Sequence, residues 1–235
     1  MAASSSTGDS TGRLPGAGTM ELLATPTLQN EHVRLEPLRR AHSGELALAV
    51  EDGELWRTWY ASVPAPEQMA AFVERRLAQR RTGEILTWTI VLTATGRVVG
   101  TTAFLHIDAH SPRVEIGGTW LAASVQGTGV NAAAKLLLLE RAFTHLGCIA
   151  VEFRTHSRNL RSRAAIERLG AKRDGVLRNH IVLPNGTIRD TVVYSVIDAE
   201  WPAVRLGLQE RLRAGIGRDD RTLHGPPHPG CALVS

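Results

Sequence analysis

The stretch SVQGTGVNAAAKLLLLERAF, Ser124 to Phe143, puts two glycines, a threonine and an asparagine directly before a leucine-rich run. A turn alone needs one glycine. A helix start leaves several backbone N–H groups without intrahelical partners, and its dipole is positive there. Gly127 and Gly129 let the chain wrap inward without a Cβ in the way, while Thr128 and Asn131 add short side-chain donors. Such a nest suits an anion, phosphate above all. A plain turn with a helix cap is the alternative reading. The spacing excludes a P-loop, because Lys135 follows an alanine and precedes a leucine. It also excludes a dinucleotide fingerprint, since Ala132 stands where the third glycine belongs and the segment before the turn is not a βαβ unit.

Outward from this turn, helical and strand patterns alternate. HVRLEPL reads as a strand, and RRAHSGELALAVED and PEQMAAFVERRLAQRR as helices, the second with Pro66 at its start. TWTIVLT and RVVGTTAFLHI form a hairpin about ATG. In RVEIGGTWLAA the alternation predicts Glu115, Gly117, Thr119 and Leu121 on one face, with Ile116, Gly118 and Trp120 on the other. After the glycine turn, Leu136, Leu139, Phe143 and Leu146 share a helix face closed by Gly147. CIAVEFRT is a buried strand, and NLRSRAAIERLG a helix capped by Asn159 and ended by Gly170. Two strands about Asn185–Gly186 follow, then a last helix with Asp198 as cap and Pro202 in its first turn. The order β-α-α-β-β-β-α-β-α-β-β-α makes one α+β domain with a mixed sheet.

The domain is expected over residues 25–213. A Ser-, Thr- and Gly-rich leader (1–24, with Met20 as an alternative start) and a similar tail (214–235) are expected to be disordered. The apolar fraction of 43% suits a globular core, and no run is long enough to span a bilayer. Net charge is only +4, and all but two of the 27 basic residues are arginines spread along the chain, which argues against a nucleic-acid partner. Cys148 and Cys231 cannot build a disulfide framework or a zinc site, and Cys148 reads as a packed thiol. No signal peptide is visible, so a cytoplasmic protein is expected.

Gln126-Gly127-Thr128-Gly129-Val130-Asn131 resembles the acyl-CoA loop of the GCN5-related N-acetyltransferases (GNAT), with Asn131 departing from the usual final small residue. GTGVN before AKLLLL, EIGGTWL, NLRSRAAIERLGA and DGVLRNHIVLPNGTIRDTVVYS are similar to the ribosomal-protein N-terminal (RimJ/RimL-like) branch, over roughly 28–212 and in family order. The resemblance implies a mostly antiparallel sheet flanked by helices and splayed between strands 113–122 and 149–155 to hold acetyl-CoA, with no metal. It implies that backbone at Trp120, Leu121 and Ala122 pairs the pantetheine, that amides of Gln126 to Asn131 seat the diphosphate, and that Asn159 holds the pantetheine arm. Ser162 would be the donor to the leaving thiolate, because Ile166 occupies the position where many members carry a tyrosine. Glu115 and Glu152 stand where members carry carboxylates and are the candidate bases, with His180 a third. The acceptor implied is a protein or peptide N-terminus. The alternatives are a small-molecule amine, with Trp56, Trp59 and Tyr60 as lining of its cleft, or a non-catalytic acyl-CoA-binding module. Dimers are common in the family, and a homodimer is an expectation on that ground alone.

Overall fold

The computed structural model describes residues 21–60 and 62–215. Met20, Cys231, most of the expected leader and nearly all of the expected tail lie outside them. Within the expected leader, Leu22 is buried, and Arg141 donates to the carbonyls of Glu21 and Ala24 at 2.9 and 3.0 Å.

Eight strands form one sheet in the order β1-β2-β3-β4-β5-β6-β8-β7. They are β1 (Leu28–Gln29), β2 (Val33–Pro37), β3 (Ile85–Leu92), β4 (Val98–Asp108), β5 (Arg113–Leu121), β6 (Ala150–His156), β7 (Lys172–Val182) and β8 (Ile188–Ile197). The helices are α1 (Ser43–Glu51), α2 (Met69–Arg81), α3 (Val130–Glu140), α4 (Leu160–Arg168) and α5 (Trp201–Arg213). The expected order of elements is therefore present, with the two-residue β1 added. Direct connections join the antiparallel pairs β1–β2, β3–β4, β4–β5 and β7–β8, whereas β2–β3 and β6–β8 pair antiparallel across longer connections. β5 and β6 alone run parallel, and α3 is the crossover that a parallel pair requires.

β3 lies inside the sheet and is buried over nearly its whole length; Trp88 stacks edge-on against Phe104 of β4 at 5.2 Å. α2 offers Met69, Phe72 and Val73, one turn apart, to the core and turns Arg75 and Arg81 to the surface, while Arg76 lies against the sheet. Pro66 opens the 3₁₀ turn that leads into it. α3 is buried on most sides rather than along one stripe, with Leu138 and Leu139 fully enclosed. It stops at Glu140 and passes into a wider π turn over Arg141–His145, where Phe143 stacks on Trp201 at 5.4 Å. α5 starts two residues later than expected, with Glu200 rather than Asp198 before its first turn.

Two features of β5 prepare the site. Its pairing with β6 covers only Arg113, Val114 and Glu115, opposite Ala150, Val151 and Glu152. Beyond that the strands part. The expected strict alternation along β5 also fails. Gly117 sits opposite Ala103 and Trp120 opposite Thr101, so Gly118 and Thr119 together face Thr102. This bulge, with Gly118 at φ +58, turns Thr119 to the Ile116 face and Trp120 to the Glu115 face. The two faces carry different helices: Thr102 meets Lys135 of α3, whereas Gly118 lies by Ala103 under Arg76 of α2.

Candidate functional site

The loop from β5 to α3 is a cradle of free donors. Gly127 and Gly129 have φ of +75 and +87, the left-handed region open to glycine at little cost. The first helical bond runs from the Ala133 amide to the Gly129 carbonyl at 2.9 Å. Among the described residues, the amides of Gly127, Thr128 and Gly129 find no acceptor. The loop's side chains hold it in shape: Gln126 Nε2 donates to the Leu121 carbonyl at 2.8 Å, and Thr128 Oγ1 to the Val125 carbonyl at 2.6 Å. Gln126 thereby occupies one of the three backbone positions expected to pair a ligand, and the Ala122 amide is taken by the Val99 carbonyl at 2.8 Å. Arg161 of α4 reaches Gln126 Oε1 at 3.4 Å and brings a cation to the loop.

Where β5 and β6 part, a small cavity of about 10 Å³, room for one water, lies between β5, α3 and α4. Thr119, Leu121, Asn131, Lys135, Ser162 and Ile166 are among its walls. Asn159 caps α4 as expected, its Oδ1 accepting from the Ser162 amide at 3.0 Å. The Ser162 hydroxyl, by contrast, is buried and has no partner. A buried hydroxyl without a partner is costly, so it points to a ligand group not supplied by the protein. Lys135, missed in the sequence reading, is 1% exposed and donates to Thr119 Oγ1 at 2.5 Å and Thr102 Oγ1 at 3.3 Å. Burial depresses its pKa to about 7, partly offset by the charge of Glu115.

The opposite face holds the carboxylates. Glu115 and Glu152 are the last register pair before the split, side by side and nearly buried. Glu152 is locked between Arg113 and Arg154, the latter at 2.9 Å. Glu115 accepts from His106 Nδ1 at 2.7 Å and lies 3.4 Å from Arg154. His106 is 63% exposed, so Glu115 has a titratable neighbour in contact with water. His180 lies on the edge strand β7, exposed, and meets Thr191 instead.

Further along β6, His156 shares the face of Glu152 and Arg154. Its Nδ1 accepts from the Arg158 amide at 3.1 Å, and its buried Nε2 has no partner. Burial, then Arg189 and Arg158, lower its pKa, which favours the neutral ring. Trp59 and Tyr60 pack on it at 5.4 and 6.0 Å. Beside them lies a cavity of about 560 Å³ between this loop, α2 and the β7–β8 turn, with Trp56, Trp59, Phe72, Arg75 and Leu183 in its walls. Tyr60 braces Trp59 rather than lining it. Asn185 Nδ2 ties the turn to the Trp59 carbonyl at 3.0 Å.

The model of the acetyltransferase (GNAT) domain family matches residues 32–172, more than half of the chain. The chain belongs to this family. A GCN5-related N-acetyltransferase from Brucella melitensis has a structure similar to it, at 30% identity and TM-score 0.72, covering 80% of this chain and 85% of that one. A candidate acetyltransferase from T. thermophilus is 38% identical with TM-score 0.71, over 80% of this chain and 98% of its own. YdaF of Bacillus subtilis (strain 168), which bears the name of a candidate ribosomal N-acetyltransferase, is 26% identical over 73% of this chain and 94% of its own length. The GNAT fold carries acetyl transfer from acetyl-CoA to an amine. The free amides of the glycine loop fit the diphosphate of that co-substrate, and the unpartnered Ser162 hydroxyl fits its polar arm. Among the described residues, no group of three His, Cys, Asp or Glu side chains gathers to hold a metal, and no helix is long and apolar enough to cross a membrane. Cys148 is buried, and its thiol is pushed up to about 11.

Proposed function

We propose that this chain is a cytoplasmic, RimJ/RimL-like N-acetyltransferase acting on the α-amine of a peptide or protein N-terminus, by direct attack in a ternary complex. The observation that carries it is the run of acceptor-less amides at Gly127–Gly129, opening beside a cavity that holds the unpartnered Ser162 hydroxyl. Acetyl-CoA, when bound, supplies the activated acyl group. Gln126 to Asn131 would seat its diphosphate, Asn159 would orient its arm and Ser162 would donate to the sulfur, while at the β5 edge the Leu121 carbonyl and the Ala122 amide are already held by Gln126 and Val99. On the opposite face, Glu115 takes the amine's proton and His106 passes it to water. Glu152, held by two arginines, keeps the vertex of the split rigid. An α-amine has a pKa near 8, against about 10.4 for lysine, so a modest base suffices for it. The name borne by YdaF supports the same acceptor.

The aromatic cavity favours a second reading, a small amine with a flat apolar body. Its volume falls within the range of small-molecule sites, roughly 300–1,000 Å³. One screen separates the two. Thiol release from acetyl-CoA is followed across N-terminal peptides and small aromatic amines. Turnover with peptides supports the first reading, turnover confined to aromatic amines selects the second, and turnover with neither overturns both.

A further inference from the structure

A serine hydroxyl can pass a proton along but cannot give up a net one to a thiolate, whose conjugate acid has a pKa of about 8.5. The net proton must come from a real acid. Of the side chains lining the cavity between β5, α3 and α4, only Lys135 carries a titratable charge. It sits one turn after Asn131 on α3, and so on the same helix face as the loop's own donor. Its ammonium has three N–H bonds, and Thr119 and Thr102 account for two. The Ser162 hydroxyl, buried and unpartnered, ends in the same cavity. The two side chains thus line one cavity from two helices where the strands part. A negative charge entering the cavity would stabilise the buried ammonium there.

We propose that Lys135 is the acid of the acyl transfer, its ammonium receiving the thiolate as the carbon–sulfur bond breaks. The inference rests on the acetyl-transfer reading of this cavity. As the amine nitrogen bonds to the acyl carbon, the electron pair of the C–S bond passes to sulfur. Lys135 Nζ gives sulfur a proton and becomes a neutral amine. The proton lost by the attacking nitrogen leaves through the opposite face to water, and Lys135 regains one from water when the cavity reopens. Glu115 of β5 is the charged group acting on Lys135, and the walls from α3 and α4 otherwise present uncharged side chains. Burial, partly offset by Glu115, brings the lysine to about 7, below the ordinary value of about 8.5 for a thiol, so its ammonium can protonate a departing thiolate.

The chain's lysines are Lys135 and Lys172, the latter 76% exposed against Glu200. Labelling the lysine ε-carbon therefore gives two NMR signals, and the wild-type protein can be titrated with coenzyme A or with desulfo-coenzyme A. A thiolate beside Lys135 keeps the ammonium charged to higher pH, because the pair titrates together. The expected result is a half-titration of Lys135 that moves measurably upward with the sulfur present, and no change at Lys172. Equal titration with both bound ligands overturns the assignment while leaving the acetyl-CoA site standing, and failure of either ligand to bind overturns the transfer reading with it. In turnover, Lys135→Met is expected to lower kcat at least about 100-fold, with the KM for acetyl-CoA within about threefold. A folded Lys135→Met variant with wild-type kcat also overturns it.

Discussion

Gly129→Ala isolates the cradle from the fold. The new Cβ would meet only Leu212 Cδ2, at 3.7 Å, so nothing in the protein resists it sterically. The cost is the left-handed backbone at φ +87, about 1–2 kcal/mol. Gly96→Ala is the matched control, with φ +69, nothing within 4 Å of its Cβ, and a place in the β3–β4 turn. Both variants should lose similar stability without ligand. With acetyl-CoA at 100 times the wild-type Kd, binding adds about 2.7 kcal/mol to the wild type and to Gly96→Ala. Displacing one amide–phosphate bond forfeits about 1.5–3 kcal/mol, which weakens Kd roughly 13- to 160-fold. Gly129→Ala then keeps only about 0.3–1.3 kcal/mol of ligand stabilisation. At about 2–4 °C per kcal/mol, the ligand-induced rise in Tm falls from about 5–11 °C to about 1–5 °C. Differential scanning fluorimetry with and without acetyl-CoA reads this directly. Equal ligand-induced rises in the two variants would refute the cradle.

Three further outcomes follow from the same geometry. Ser162→Ala should lower kcat by about 100-fold and leave the KM for acetyl-CoA within about threefold; steady-state kinetics showing the reverse pattern would remove the donor role. Glu152→Gln, which strips the charge facing Arg113 and Arg154, should cost about 1–3 kcal/mol in urea unfolding, whereas Glu115→Gln should chiefly lower turnover, read by steady-state kinetics. Lys135 titrates near 7 in the fold and near its ordinary 10.5 when unfolded. Between those values the unfolded chain holds a proton that the fold lacks, so stability gains about 1.4 kcal/mol per pH unit as pH rises. Below about 7 the full burial cost remains. Urea midpoints of wild type against Lys135→Met across this window should show that slope vanish in the variant.

Elements with a strong local signal were legible in the sequence. Asn159 as a cap, Gly96 and Gly186 at their turns, and Met69 and Val73 sharing a face of α2 follow from backbone chemistry and helical period, and the structure shows each. The glycine loop was legible for the same reason. The strict face assignment in β5 failed because the bulge at Gly118–Thr119 depends on pairing with β4, which a single strand does not encode. Lys135 was passed over because lysine is ordinarily a surface residue. The signal was present in its spacing: four residues after Asn131, inside a run whose neighbours are all small or apolar. The surroundings of His156 were not legible because the rings packed on it, Trp59 and Tyr60, lie nearly a hundred residues away in the chain.

The three-residue seam between β5 and β6 divides the sheet into halves, β1–β5 and β6–β8 with β7 outermost, joined also by the α3 crossover, by Asn185 on the Trp59 carbonyl and by Trp59 and Tyr60 on His156. A co-substrate laid along the gap would act as a splint across that seam, so deuterium uptake at Thr119 to Leu121 should fall when it is bound.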